Sequence, residues 1–352
     1  MKPDEHWIER ATQSATVREP ELGPARTIEL LPRHASMRRY ARVSFASRTE
    51  VVMLLPAPGG GPEEAGGTTV DRASDEPFVH AQSWLASLGV RVPRLYAVDD
   101  ERGCIWLEDV GSIDLDAWIA TQPSLEEAYR GPIETLLHLQ RVTGAGADVP
   151  AFVSSRTFGA DLLRWELDHY REWRLEAELG VTLGQAERDA LDREFDALVA
   201  RLVEIPVAVM HRDFQSHNLM VLGPDIVVLD FQDAMLGPVV YDAVALLRDS
   251  YVTLPADVLE RLVRSYAREA SGLATFGGAD PGTIERWFYL QTVQRKLKDA
   301  GRFVYIDRVK KNPGFLRYIP ASISYVRDAL QRLPELQGLR SLLQTLDPGL
   351  RP

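Results

Sequence analysis

The sequence has one cysteine, Cys104, in 352 residues, so no disulfide can form within the chain, and its chemistry suits a reducing compartment. It also lacks any run of about 18 apolar residues, so no membrane-spanning helix is expected. The first stretch, MKPDEHWIERATQ, is polar and acidic without an apolar centre, which argues against a secretory signal. Positive charge is in the minority: 40 Lys and Arg against 51 Asp and Glu leave a net charge of −11. An acidic surface repels phosphate backbones, which excludes nucleic acid as a principal partner. These absences together predict a cytoplasmic, soluble protein with no membrane partner.

What is present is ordinary for a globular chain, 45% hydrophobic and 26% charged residues, and the length predicts two lobes. The chemistry concentrates in Val207 to Asp249, VAVMHRDFQSHNLMVLGPDIVVLDFQDAMLGPVVYDAVALLRD. There an apolar run leads into His211-Arg212-Asp213, Asn218 follows five positions after Asp213, and a second apolar run, Ile226 to Leu229, ends at Asp230. Asp, Asn and Asp at the ends of short strands are what phosphoryl transfer from ATP requires. Hard oxygen ligands must surround Mg²⁺, and one carboxylate must orient the attacking hydroxyl. Asp213 is therefore read as catalytic base, and Asn218 and Asp230 as metal ligands. His211 is expected to brace the loop, and Asp242, at a helix start, to be a buried acceptor for loop donors. His217 has no Cys or second His at metal-binding spacing and is read as a packed or solvated side chain.

HRDFQSHN resembles the kinase catalytic-loop pattern H-R-D-x-x-x-x-N, and VVLDF resembles the strand leading into the metal-binding Asp. Gln232 replaces the Gly of D-F-G and no A-P-E segment follows, so the chain is similar to the aminoglycoside phosphotransferase and choline kinase superfamily rather than to protein kinases. Within it, DFQDAMLGPVVYDAVALLRDSY, SMRRYARV and IWLEDVG are most similar to the anomeric sugar kinases acting on N-acetylmuramate and N-acetylglucosamine in bacterial cell-wall recycling.

The resemblance implies an α+β, bilobal, protein-kinase-like fold. Residues 1–108 would form a small antiparallel nucleotide-binding lobe and 109–352 a larger helical lobe with the acceptor site. It implies ATP and Mg²⁺ as cofactors and a sugar as the small-molecule partner. Phosphorylation of choline or an aminoglycoside, or nucleotide binding by a pseudokinase, are the alternative functions.

Strands are expected over Thr27–Leu31, Tyr40–Phe45 and Val51–Leu55. Two absences mark this lobe: no Gly lies between Leu31 and Leu55, and VVMLL carries no phosphate-pairing Lys. Ser36 and Arg38, Arg39 or Arg42 would have to hold phosphate instead. The stretch 56–77, with five Gly and four Pro in 22 residues, is expected to be a mobile loop. The following helix offers only Glu76 and Gln82, so the kinase Lys–Glu ion pair is expected to be absent as a unit. Backbone groups at Leu107 to Val110, in particular Glu108 and Val110, are placed at the adenine edge.

Farther on, Phe158 to Ala177 is expected to be one helix with its aromatics in the core and Glu166 and Asp168 on a solvated or substrate-facing edge. Arg295 and Lys298, in a basic and aromatic stretch, are substrate-binding candidates suited to a sugar carboxylate, and Arg248 is a further candidate.

Overall fold

The structure is a computed structural model that describes residues 4–32, 38–56, 73–144 and 147–351. The chain folds into two compact units: Met1–Ile113 with Met220–Gln232, and Asp114–Leu219 with Asp233–Pro352. In order, the elements of the first stretch are α1 (Glu5–Ala15), α2 (Glu19–Leu22), β1 (Thr27–Leu30), β2 (Arg39–Ser44), β3 (Thr49–Leu54), α3 (Pro77–Ser87), β4 (Leu95–Asp99) and β5 (Cys104–Glu108).

The five strands form one antiparallel sheet in the order β1-β2-β3-β5-β4. Strand residues alternate between faces, and β2 follows that rule: Arg39, Ala41 and Val43 are buried while Tyr40, Arg42 and Ser44 are half-buried. Ala41 and Val43, with Val52, Leu54 and Trp106, pack onto Ala11 and Ala15 of α1. Burying a large apolar side chain contributes about 1.5–3 kcal/mol. Trp106 also donates its indole N–H to Ser14 at 3.0 Å, so its one polar atom is satisfied.

The second unit contains α4 (Leu115–Ile119), α5 (Leu125–Val142), α6 (Ala151–Ser154), α7 (Ala160–His169), a π-helical stretch Tyr170–Glu178, α8 (Gln185–Leu202) and β6 (Val207–Met210). Next come β7 (Leu219–Leu222) and β8 (Asp225–Val228), which pair as a hairpin, and β9 (Met235–Pro238), which pairs antiparallel with β6. The chain ends with α9 (Tyr241–Leu247), α10 (Ala256–Ala270), α11 (Pro281–Arg308), α12 (Ile319–Arg332) and α13 (Gln337–Leu346). Ser124 accepts the Glu127 amide as N-cap of α5, and Asp280 accepts that of Thr283 at 3.1 Å as N-cap of α11.

Helix α11 is buried on nearly all sides from Phe288 to Leu297, polar residues included. It crosses the end of α7 at Gly301, where a Cβ would sit 2.6 Å from the His169 carbonyl oxygen. The helix expected over 158–177 changes hydrogen-bond register at that crossing, becoming π-helical from Tyr170.

Three expectations change. The hairpin segment Met220–Gln232, expected with the helical part, belongs to the sheet unit, whose first stretch runs to Ile113 rather than 108. Met220 and Val227 pack on Val110, and the Val228 amide donates to the Arg91 carbonyl at 2.8 Å. Glu166 is not at a solvated edge: it is buried and accepts from Gln294 at 2.9 Å. Trp165, expected in the core, is exposed. Ser36 and most of the stretch 56–77 lie outside the described residues. Among those described, no helix is long and apolar enough to cross a membrane.

Candidate active site

The loop after β6 is held by several buried hydrogen bonds. Arg212 has φ +79°, a left-handed conformation that L residues adopt only when surrounding bonds hold it. Those bonds come from Asp242, at the start of α9, which accepts the amide of His211 at 2.6 Å and that of Arg212 at 3.0 Å. The His211 ring is buried and its Nδ1 accepts the Asp213 amide at 3.3 Å.

Farther along, Asn218 donates its side-chain amide to the Asp213 carbonyl at 2.9 Å, which leaves the Asn218 side-chain oxygen as the free end. Asp249 was missed by sequence reasoning. Its buried carboxylate accepts the Ser216 amide at 2.7 Å and the Tyr251 amide at 3.0 Å, tying the loop to the end of α9. Its only signal was an Asp at the end of YDAVALLRD. His217 is packed as expected, with Nδ1 2.7 Å from an Asp114 oxygen and its ring centroid 4.1 Å from that of Tyr251.

The Asp213 carboxylate is half-exposed, 46%. Burial pushes its pKa up, but the charges of Arg295, Lys298, Arg212 and His211 outweigh that effect and hold it below the usual carboxylate range. Arg295 itself is 1% exposed and bonds the loop directly. Lys298 pairs with Asp299 at 3.0 Å. Arg248 is buried at the C-terminus of α9, paired with Asp328 and lying over the Tyr325 ring at 4.7 Å. Its hydrogen-bonding partner is thus α12 rather than the loop.

In the sheet unit, Asp230 lies two residues past β8 with φ +58° and accepts the Gln232 side-chain amide at 2.7 Å on one oxygen. Tyr40 lies near it. Burial raises the Tyr40 pKa to about 12, Arg38 opposes that rise, and Asp230 and Glu76 add to it. Arg38 forms an ion pair with Glu76, at the N-terminus of α3. Glu76 thus has a cationic partner of a different kind, an arginine just before β2 instead of a lysine on β3. Met53 pairs across from Tyr40 and fills the position without a lysine.

The three arginines considered for phosphate have separate partners. Arg39 shares the face of Ala41 and Val43 and reaches Asp4 at 3.3 Å, on the other side of the sheet from Tyr40. Arg42 makes a two-pronged pair with Asp109 at 2.8 and 2.9 Å. At the adenine edge expected from sequence, the Glu108 carboxylate is held by Arg91 and the Arg94 amide, and its own amide donates to the Arg94 carbonyl at 2.9 Å. Val110 is buried on Met220 and Val227.

The chain belongs to the phosphotransferase enzyme family, whose profile matches residues 27–277. It is 34% identical over 336 residues to the N-acetylmuramate/N-acetylglucosamine kinase of Pseudomonas aeruginosa, covering 94% of this chain and 91% of that protein. It is 32% identical over 329 residues to the protein of the same name from Pseudomonas putida, covering 93% and 91%. Among solved structures, choline kinase from Cryptosporidium parvum superposes with a TM-score of 0.60 at 11% identity, covering 89% of this chain and 91% of that one. The protein-kinase-like fold and ATP-dependent phosphotransfer read from the sequence accordingly hold.

Proposed function

We propose that this protein transfers the γ-phosphoryl group of ATP to the anomeric C1 hydroxyl of N-acetylmuramate, N-acetylglucosamine or both, as a cytoplasmic step in cell-wall recycling. The observation that carries the reading is the catalytic loop. A half-exposed Asp213 is presented by a backbone that Asp242 and Asp249 fix at three amides, in a chain about one-third identical to kinases bearing those substrates' names.

Asp213 accepts the proton of the C1 hydroxyl and orients it for attack. That hydroxyl is more acidic than an ordinary alcohol because the ring oxygen withdraws electron density. Asn218 and Asp230 suit Mg²⁺ chemically: each has an oxygen left over from its own hydrogen bond, and hard oxygens are what the ion takes. Mg²⁺ bound by these residues would neutralise charge on the phosphate oxygens. Arg38, held by Glu76, is the guanidinium we assign to the phosphates in place of the missing lysine. This removes the main argument for a pseudokinase.

The test is ³¹P NMR of the purified protein with Mg²⁺ and ATP, given in turn N-acetylmuramate, N-acetylglucosamine, choline and kanamycin. A sugar-dependent resonance whose coupling places phosphate on C1 supports the reading. Transfer to choline or kanamycin alone, or ATP binding without transfer to any of the four, overturns it.

A further inference from the structure

Arg295 lies in the buried part of α11 and has a side-chain exposure of 1%. A buried guanidinium costs several kcal/mol unless its charge and donors are met. Here Nη1 donates to the Arg212 carbonyl at 3.0 Å, Nη2 faces an Asp213 carboxylate oxygen at 3.4 Å, and the cation lies 4.6 Å from the Tyr241 ring centroid, while the buried Nε has no hydrogen-bond partner among the described residues. These contacts fall on the left-handed turn at Arg212, whose amide is already held by Asp242. The peptide groups of that turn are thus bonded on both sides, by a carboxylate from α9 and a guanidinium from α11.

We propose that Arg295 is a positioning residue. It fixes the Arg212 carbonyl and one oxygen of Asp213, leaving the other oxygen aimed at the acceptor hydroxyl. This rests on Asp213 being the base and moves Arg295 out of the substrate-binding set to which its charge first assigned it. A sugar carboxylate has no route to a guanidinium this buried and already engaged. The fork geometry matters as well as the charge. Lysine at 295 offers a single compact donor centre, which cannot span a carbonyl and a carboxylate as a planar guanidinium does. The other charged groups acting on Asp213 are Lys298 of α11 and Arg212 and His211 of its own loop.

The experiment compares Arg295→Lys and Arg295→Ala in the full-length protein, alone and with Asp213→Asn. It measures kcat, KM for ATP, KM for the sugar, and amide hydrogen exchange across residues 211–218 without ligand. Arg295→Lys keeps the buried charge, so it guards the test against loss of the alanine variant to instability. The expected result is a fall in kcat of about 10²-fold, the scale of a small misplacement of a reacting group, with both KM values within about threefold. No further loss is expected in the Asp213→Asn background. Exchange across 211–218 should rise, and added guanidinium should restore part of the activity of a folded Arg295→Ala protein.

A raised sugar KM at unchanged kcat overturns the proposal and returns Arg295 to substrate contact. Losses that multiply with those of Asp213→Asn also overturn it, because Arg295 then acts independently of the base. Unchanged exchange across 211–218 removes the positioning role outright. If the wild-type protein phosphorylates neither sugar, the acceptor reading fails while the exchange result still decides Arg295.

Discussion

Asp242 accepts the His211 amide at 2.6 Å although its own carboxylate is buried, so the start of α9 is fastened to the loop that follows β6. Burial raises the Asp242 pKa, and His211 with the two backbone amides pulls it back toward the ionised form. Replacing it by alanine leaves two buried N–H groups unpaired at about 1–3 kcal/mol each. Asp242→Ala should therefore lower both stability and turnover, read by urea unfolding and by initial rates. Asp242→Asn keeps one acceptor oxygen and should lose less of each.

Asp213→Asn tests the base directly. The side chain is half-exposed and the asparagine nearly isosteric, so the unfolding midpoint should hardly change. Turnover should fall by about 10²- to 10⁴-fold, the usual scale for a general base. Turnover near wild type in a steady-state assay would remove that role.

Arg38 and Glu76 should behave as one unit toward nucleotide. Arg38→Ala and Glu76→Gln are each expected to raise KM for ATP about tenfold and leave KM for the sugar nearly unchanged. The double variant should be little worse than either single one, since the second change removes a partner already idle. Independent effects in a double-mutant cycle would separate the two residues.

His169 gives the protein a measurable acid sensitivity. Burial, then the charges of Arg302 and Lys298, lower its pKa from 6.5 to about 4. Between those values the unfolded chain holds a proton there that the folded protein does not. Its contribution to stability is thus present above pH 6.5 and lost as the pH falls toward 4. Wild-type urea midpoints should drop more steeply than those of His169→Gln across this window. Subtracting the two curves isolates His169 from the carboxylates, and parallel curves would assign the sensitivity elsewhere.

The local signals were legible in the sequence. Asp213 to Asn218 spans one loop, β1 and β2 alternate in a simple pattern, and His211 and Asp242 declare themselves beside that loop. The long-range pairings were not. Arg295 sits in a charged run that reads as substrate-binding, and because α11 is enclosed by several elements the alternation of wet and dry sides that would mark a buried residue is absent. Arg38 and Glu76 are 38 positions apart, with the stretch 57–72 between them, and no periodicity links them. The same holds for Asp249 and Ser216, which are 33 apart.

The return of Met220–Gln232 to the sheet unit bears on how the chain is made. A ribosome must deliver residue 232 of 352 before the first unit has all its parts. Until then Val110 lacks the cover of Met220 and Val227, so the nascent N-terminal portion displays an oily surface that chaperones can bind. A gene fragment ending at Ile113 should accordingly give insoluble product. Chimeras with related kinases will need the hairpin exchanged together with the sheet.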